Sequence, residues 1–501
     1  MNRRTFLTSS TALLALAATP GLAVEPQIAS LLDYARSAQT RPYVPNTTPL
    51  SPPFADLDYN AFRGIRPIAG KTAMLPHGSK FAYDLLPPGL YFPDPIAFDQ
   101  MTADGLREIA FSPKLFSYQE RYFDEIPETS PGAGFTGMRL RYPVNAPDTM
   151  DEVLVMQGAS YFRAIGKAMV YGLSARTVAI GTGGSGPEEF PRFTHLRLHP
   201  SNGDTVRMEG VIDSPSLTGH LDMVMVPGTD TVMEITTTLF PRVEIADIGI
   251  APLTSMYLKG PMLGAVSDDF RPRVHDSDVL VIENGASETL WRPIANPRGV
   301  EVSAFADTSP KRFGLYQSAR QYEDFQDTEA RYHDRPSAFV EPLEPWGAGA
   351  VMLVELPTGD EFLDNIVAFW RPEAPLQRGQ AYAFRYRLTW TRAAPVTAGL
   401  PAILQNRSGK EHDRPGHRRF VVDVAATLDD PRPLISSHEE AEITGISAFK
   451  LPDGRGTRVT FLFAPGELDA AELRLSLRAD DGTPQSPVWL HRWTRARDGG
   501  V

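Results

Sequence analysis

The sequence contains no cysteine, and basic residues are not in excess. Without cysteine the chain has neither disulfide bonds nor a thiol nucleophile. Lysine and arginine total 49 residues against 61 acidic residues, which gives a formal net charge of −12. Proteins that bind nucleic acid usually have the opposite balance. We therefore expect no nucleic-acid partner, and the acidic composition fits a neutral substrate.

Two common catalytic motifs are also missing. No Gly-x-Ser-x-Gly sequence occurs, which argues against a serine hydrolase. The glycine-rich run 181–186 lacks the lysine of a phosphate-binding P-loop. His275 lies beside Asp276 and Asp278, but no second histidine follows at the helical spacing of a metal site. We expect neither a metal ion nor another cofactor.

No apolar run is long enough to span a bilayer, and the longest near the start, 11–18, is too short. Arg3 and Arg4 precede it and are followed by Phe-Leu, as in a twin-arginine export signal. A small-residue cleavage site follows at 21–23. We predict that residues 1–23 are a signal peptide and that the mature protein is periplasmic, with no stable membrane insertion after cleavage.

Proline and glycine are abundant, at 45 and 40 residues, which favours turns and short strands. Up to about Trp390, apolar and polar residues alternate with a period of two, which predicts antiparallel strands with one buried face. A short helix is expected over 28–38, and helical turns are expected near 161–166 and 252–257. The pattern predicts an all-β protein with a large N-terminal β-sandwich over 24–390.

The alternation of apolar and polar residues weakens after this sandwich. Residues 391–418 have little periodicity and are predicted to form a linker and an extended loop. Alternation resumes at Arg419, and the short strands expected over 419–501 are spaced as in an immunoglobulin-like β-sandwich.

The stretch from Arg271 to Pro372 combines carboxylates, arginines and aromatic side chains. Glycoside hydrolysis needs one carboxyl group to protonate the leaving oxygen and a second to activate water or attack carbon. Aromatic rings can stack on sugars. Ordinary salt bridges and core packing are the alternative interpretation. The candidate acids are Asp276, Asp278, Asp307, Asp324, Asp327, Glu361 and Asp364, and the candidate aromatics are Trp291, Tyr332, Trp346 and Trp370, with Tyr161 able to join them through the fold.

Several longer motifs occur in a fixed order from about Asp58 to the C-terminus. They are Leu57-Asp58-Tyr59 with Phe62-Arg63, Gly158-Ala159-Ser160-Tyr161-Phe162-Arg163, Tyr171-Gly172-Leu173-Ser174-Ala175-Arg176, Gly249-Ile250-Ala251-Pro252-Leu253-Thr254-Ser255-Met256, Arg273-Val274-His275-Asp276-Ser277-Asp278, Arg335-Pro336-Ser337 and Leu363-Asp364-Asn365-Ile366-Val367. Their order resembles the osmoregulated periplasmic glucan biosynthesis proteins of the G and D type. Val279 stands where that family usually has glycine, and the twin-arginine motif resembles the D branch.

The resemblance implies a galactose-mutarotase-like supersandwich joined to an immunoglobulin-like domain, with a role in making or trimming β-1,2-linked glucans. It further implies an inverting endo-β-1,2-glucanase, with transglycosylation as an alternative. Matched motif to motif, the acid–base pair falls on Asp364, assigned as general acid, and Asp276, assigned as general base. Sequence alone leaves these two roles exchangeable. Tyr332 and Glu361 match residues that line the same site.

Further candidates for substrate binding are Asp278, Tyr161, Arg163, Trp291 and Asp327. The expected partners are a β-1,2-glucan oligosaccharide or polysaccharide and, as a candidate, an inner-membrane glucan synthase. The rival hypothesis is a non-catalytic glucan-binding or assembly factor that holds nascent chains in the same cleft and controls the structure of the glucan backbone.

Overall fold

The computed structural model describes residues 28–45, 49–68, 80–129, 131–262, 268–395, 397, 399–437 and 440–498. Strands make up 47% of the residues and helices 7%, which confirms the predicted all-β class. None of the helices in these ranges has the length and apolar character that crossing a bilayer requires. The predicted signal peptide lies outside the described residues.

The regular elements are short helices and many strands. The helices are α1 (Leu31–Ala38), α2 (Tyr59–Arg63), α3 (Tyr322–Phe325) and α4 (Arg495–Asp498), with 3-10 turns at Phe54–Asp56, Pro113–Leu115 and Tyr332–Asp334. The strands in the first part of the chain are β1 (Ile65–Pro67), β2 (Ala82–Leu86), β3 (Ala97–Thr102), β4 (Gly105–Glu108), β5 (Phe116–Tyr118), β6 (Gly137–Tyr142), β7 (Asp151–Gln157), β8 (Tyr161–Ala164), β9 (Ser174–Arg176), β10 (Val178–Ile180), β11 (Arg192–Leu198), β12 (Val206–Asp213), β13 (Leu217–Val226), β14 (Thr231–Pro241), β15 (Ile248–Ser255) and β16 (Tyr257–Lys259). The later strands are β17 (Val274–His275), β18 (Val279–Glu283), β19 (Thr289–Pro293), β20 (Glu301–Thr308), β21 (Arg312–Tyr316), β22 (Ser337–Pro342), β23 (Ala348–Glu355), β24 (Ile366–Pro372), β25 (Tyr382–Thr391), β26 (Ile403–Lys410), β27 (Arg418–Val424), β28 (Arg432–Ser437), β29 (Glu442–Lys450), β30 (Thr457–Ala464), β31 (Ala470–Arg478) and β32 (Val488–Thr494).

Two large sheets form the body of the described chain. One has ten strands in the order β2-β6-β7-β8-β9-β15-β24-β23-β20, with β10 also paired to β15. The other has fourteen strands in the order β28-β31-β32-β19-β18-β21-β22-β25-β14-β13-β12-β11-β3-β4. A smaller sheet has the order β26-β27-β30-β29, and β1–β5 and β16–β17 form two-stranded ribbons.

The first hydrophobic core lies between the two large sheets. Leu221 and Met223 of β13 contribute to it from the fourteen-stranded sheet, which we call the long sheet. Leu253 and Trp370 contribute from the ten-stranded sheet, which we call the facing sheet. Successive strand side chains point to opposite faces, so every second residue of such a strand enters the core. This arrangement explains why period-two alternation located most of the strands.

Strand β18 belongs to two cores at once. Leu280 and Ile282 face the first core, whereas Val279 and Val281 face a second core on the opposite side of the strand. A strand covered on both faces has a continuous apolar sequence, and residues 279–282 are buried throughout. Val279, at the position where the family usually has glycine, therefore fills a core at the start of a strand.

The second core lies between the smaller sheet and the part of the long sheet that contains β31, β32, β19 and β18. Phe420 and Phe461 stack in it with ring centroids 5.2 Å apart. Strand β19 pairs in parallel with β32, with Trp291 opposite Trp489, so the C-terminal strands continue the long sheet. The domain boundaries stay a prediction, but β26 forms within 391–418 and pairs with β27, where we expected linker and loop.

Three local expectations can be compared with the structure. The predicted helix over 28–38 is α1, where the Ser30 side chain accepts a hydrogen bond from the Asp33 N–H. The helical turns expected near 161–166 and 252–257 are wrong, because these segments are mainly strand. Strand β8 pairs with β7 and β9, and β15 pairs with β9, β10 and β24. Sheet pairing outweighs local propensity there.

Candidate active site

The two predicted acid–base residues lie on loops that are fixed to the same short segment. Asp276 lies between β17 and β18, and its N–H donates to the Met256 carbonyl at 2.8 Å. Asp364 lies just before β24, and its neighbour Asn365 accepts the Tyr257 N–H at 2.8 Å and donates to the Tyr257 carbonyl at 3.1 Å. Met256 and Tyr257 are consecutive, so one stretch of backbone brings both aspartates to one site.

Asp276 is a buried, ion-paired carboxylate. It is 3% exposed, and its Oδ1 accepts a hydrogen bond from Arg335 Nη1 at 2.5 Å. The Arg335 guanidinium also lies 4.3 Å from the centre of the Tyr332 ring, and its Nε donates to the Ala330 carbonyl at 3.0 Å. Arg335 is thus held on three sides, and it fixes the orientation of the Asp276 carboxylate.

Asp364 has a different environment. Its side chain is 30% exposed, and Oδ2 lies 3.4 Å from Arg163 Nη2. Burial raises the pKa of Asp364 to about 6; the Arg163 charge opposes that shift, and the Asp276 charge adds to it. Asp364 therefore keeps its proton to a higher pH than an ordinary aspartic acid, which suits a proton donor.

Glu361 is the centre of a network beside the pair. Tyr332 donates its hydroxyl to Glu361 Oε2 at 2.5 Å, and Arg271 Nη1 donates to the same oxygen at 2.7 Å. Burial, followed by this hydrogen bond, raises the pKa of Tyr332 above its usual value. Tyr332 is 1% exposed, so it acts on the site by holding Glu361 rather than by presenting surface.

Asp327 is joined to this network through Arg271. Its Oδ2 accepts from Arg271 Nη1 at 2.9 Å, and its Oδ1 accepts the Glu329 and Ala330 N–H groups at 2.9 and 2.7 Å. Burial favours a higher pKa for Asp327, but the hydrogen bonds from the Ala330 N–H and from Arg271 outweigh it and lower the pKa. Most of its acceptor capacity is used within the protein.

Tyr161 and Arg163 of β8 lie on the other flank of Asp364. Arg163 Nε donates to Ser174 Oγ at 2.6 Å, which holds the guanidinium towards Asp364. The Tyr161 ring lies 5.2 Å from the Arg176 guanidinium. Burial raises the pKa of Tyr161, and the nearby Asp364 charge contributes to the shift. Both residues are therefore in the same site as Asp364.

Asp278 is hydrogen-bonded to a neighbouring loop and does not contact Asp364 or Glu361 through any hydrogen bond described for it. Its two carboxylate oxygens accept the N–H and the hydroxyl of Ser318 at 2.8 and 2.5 Å. Ser318 follows β21, so the contact ties the loop before β18 to the neighbouring strand. The geometry makes Asp278 a residue that orders the loop carrying Asp276.

Trp291 does not join the site, and the prediction that it binds substrate is wrong. It is 1% exposed and packs in the second core, with its ring centroid 5.4 Å from that of Tyr316. Trp346 and Trp370 are likewise buried, at 8% and 0% exposure, in the first core. None of these tryptophans has a ring face free to stack on a sugar.

Three arginines that organise the site received no role from the sequence. Arg335 pairs with Asp276, Arg271 bridges Glu361 and Asp327, and the Arg176 charge lowers the pKa of Asp364. Arg335 and Arg176 both stand within the quoted motifs, and Arg271 opens the acid-rich stretch. Acidic clusters need cationic partners when buried, which is the signal that could have selected them.

His275 is enclosed by aromatic rings rather than by ligands. Its ring stacks on Tyr257 at 5.3 Å and meets Phe325 edge-on at 5.1 Å. Burial lowers the pKa of His275 to about 4, so the imidazole is neutral. Across the described ranges, no group of three or more His, Asp or Glu side chains is placed to hold a metal ion.

The fold and the site define a large β-sandwich protein with a polar site built from acids and arginines. The chain belongs to the family described as periplasmic glucan biosynthesis protein, MdoG, whose model matches residues 27–493. The predicted family is thereby confirmed.

Similar proteins agree with this assignment. Glucans biosynthesis protein G of Vibrio cholerae is 39% identical over 468 residues, covering 92% of this chain and 85% of the relative. Glucans biosynthesis protein G of Shewanella frigidimarina is 37% identical over 472 residues, covering 93% and 84%. Glucans biosynthesis protein G 1 of Shewanella oneidensis is 38% identical over 473 residues, covering 93% and 86%. These relatives carry the name G, so they give the predicted D branch no support.

Proposed function

We propose that this protein is a periplasmic enzyme that cleaves β-1,2-glucan chains internally, with inversion at the anomeric carbon. Membership of a glucan biosynthesis family supports a glucan as the ligand. The observation that carries the enzymatic proposal is the contrast between the two aspartates. Asp364 has a pKa raised to about 6, while Asp276 is ion-paired with Arg335.

Each carboxyl group suits one half of the reaction. Protonated Asp364 gives its proton to the glycosidic oxygen as the bond from that oxygen to the anomeric carbon breaks. The oxygen of a water molecule forms the new bond to that carbon, and ionised Asp276 accepts the proton that the water loses. A sugar hydroxyl in place of water gives glucan transfer instead of hydrolysis.

The neighbouring residues would prepare the site for this chemistry. Arg335 orients Asp276, and Arg163 adjusts the proton affinity of Asp364 from 3.4 Å. Glu361, held by Tyr332 and Arg271, has a carboxylate that can accept hydrogen bonds from sugar hydroxyl groups. A glucan emerging from an inner-membrane synthase is the substrate that such a periplasmic enzyme would meet.

The test is incubation of the purified protein with linear β-1,2-glucan. We expect shorter products whose new reducing ends have the inverted anomeric configuration when NMR is recorded early in the reaction. Asp364→Asn and Asp276→Asn should each lower kcat by about 10²-fold or more, because each removes a proton-transfer group while keeping its size. The matched control is Asp429→Asn, because the Asp429 side chain is 96% exposed and lies between β27 and β28, outside the site.

The outcomes separate the two hypotheses for this family member. Cleavage by the wild type with loss in both site variants supports the enzyme. Glucan binding without shorter or rearranged products would instead support the non-catalytic binding factor. Near-normal turnover in both Asp364→Asn and Asp276→Asn would show that other acids carry the reaction, with Asp324 and Asp327 next to be tested.

A further inference from the structure

Two exposed phenylalanines lie near Asp364: Phe362 stands two residues before it in the chain, and Phe190 lies beside Arg176. Phe362 is 92% exposed and Phe190 is 44% exposed. Rings at such exposure keep a face open to solvent, and beside a group of polar side chains that face can take up an apolar ligand surface. The buried Trp291 cannot supply that surface, so these rings are the ones to consider.

Phe190 is supported by a fixed cation next to the acid. The Arg176 guanidinium lies 5.9 Å from the Phe190 ring centre and 5.2 Å from that of Tyr161. Its side chain is 3% exposed and pairs with Glu188 at 2.6 Å. Arg176 is also close enough to Asp364 to lower its pKa. The Phe190 ring is therefore part of an ordered platform that reaches the acid.

Phe362 stands on an ordered loop two residues before Asp364. The Phe362 N–H donates to Asp360 Oδ1 at 2.9 Å. Thr358 exchanges two hydrogen bonds with the Asn296 side chain, at 2.9 and 3.0 Å, which anchors the start of the loop. Holding an apolar ring in water on a fixed loop costs free energy, and binding a ligand would recover it.

We propose that Phe190 and Phe362 are sugar-stacking residues that bind hexose units of the glucan on the surface beside Asp364. This inference rests on the proposed function. Pyranose rings have faces of C–H groups that bury apolar area against an aromatic ring, while their hydroxyl groups remain free for the polar residues of the site. The pair of rings would thus select and hold the chain without taking part in proton transfer.

The experiment measures KM and kcat for linear β-1,2-glucan with Phe190→Ala and Phe362→Ala. Each variant should raise KM by about fivefold to tenfold, since the lost contact buries roughly 50 Å² of apolar surface. The kcat at saturating glucan should change less than KM. The conservative variants Phe190→Trp and Phe362→Trp keep a ring and should retain most of the affinity. Phe449→Ala is the matched control, because Phe449 is 48% exposed on the small C-terminal sheet.

Calorimetric titration of the glucan into Asp364→Asn, with and without each Phe→Ala change, measures binding without turnover. Weaker binding and higher KM in the Ala variants, with wild-type values in the control and near wild-type values in the Trp variants, support the inference. If the wild type binds and cleaves the glucan while all Ala variants match the control, the stacking role is wrong and the proposed function stands. If the wild type neither binds nor cleaves it, the proposed function fails and the inference fails with it.

Discussion

At the scale of single residues, the site shows how two identical carboxyl groups acquire different environments. One oxygen of Asp276 accepts a hydrogen bond from Arg335. That arginine is itself held by the Tyr332 ring and the Ala330 carbonyl. Asp364 has lost much of its water without a comparably short ion pair, and its pKa rises to about 6. The contrast arises from neighbours supplied by other parts of the chain.

The raised pKa of Asp364 predicts a pH dependence with a definite sign. A general acid must be protonated, so kcat/KM for the glucan should fall as pH rises through about 6. Arg163 lowers the pKa of Asp364. Removing that charge in Arg163→Met should therefore move the fall in kcat/KM to higher pH. Initial rates measured from pH 4 to pH 9 give both profiles.

The control for this prediction is Arg163→Lys, which keeps a positive charge next to Asp364. Its profile should lie closer to that of the wild type than to that of Arg163→Met. A wild-type kcat/KM that stays constant between pH 5 and pH 8 would contradict the assignment of Asp364 as the acid.

At the scale of elements, periodicity predicted strands wherever one face of the strand meets water. It is less informative for strands buried on both faces, such as β18 and β15, and the sequence pattern wrongly predicts a helical turn over part of β15. The prediction that Trp291 of β19 binds substrate is wrong for the same reason, because the second core covers its side of the strand. Burial on both faces depends on distant strands, which local pattern does not report.

The site itself was partly predictable. The family resemblance implies that Asp276 and Asp364 form a pair, and the structure places both on loops fixed to Met256 and Tyr257. The partners of the acids were not predicted, because Arg335 reaches Asp276 from a different loop across the fold. Exposure, which distinguishes Phe362 from Trp291, is likewise a property of the folded molecule.

The two-faced strand β18 yields a prediction about stability. Leu280→Ala removes apolar volume from the first core, and Val281→Ala removes it from the second. Leu280→Ala should cost about 2–5 kcal/mol of unfolding free energy, and Val281→Ala should cost less because fewer atoms are lost. Both changes should lower the midpoint of one shared transition in calorimetry and in denaturant.

The exposed Leu434 of β28 provides a comparison, since Leu434→Ala removes the same atoms from a side chain that is 53% exposed. It should change stability far less than Leu280→Ala. Two separate transitions, each affected by only one of the core variants, would show that the two cores unfold independently.

At the scale of the whole molecule, the long sheet joins the sandwich that contains the site to the C-terminal strands. Strand β32 pairs with β19, and α4, which follows β32, contacts the ten-stranded sheet through Arg497, 3.2 Å from Glu301 of β20. The buried Arg292 and Glu355, 3.2 Å apart, connect β19 to the facing sheet. The C-terminal segment is thus linked to both large sheets.

Export concerns the whole molecule as well. Changing Arg3 and Arg4 to Lys should leave unprocessed precursor in the cytoplasm, because the twin-arginine export receptor reads the arginine pair. Immunoblotting of periplasmic and cytoplasmic fractions measures the distribution. Normal accumulation of processed protein in the periplasm would contradict the twin-arginine route.

The parallel pairing of β19 with β32 also has a consequence for biosynthesis. A ribosome releases β19 long before it has made the strand that will lie beside it. During that interval the nascent chain has an open strand edge and the uncovered apolar face of Trp291, features that attract other chains. Completion of the long sheet therefore follows synthesis of almost the entire polypeptide, so this edge and Trp291 stay uncovered until the last strand has been made.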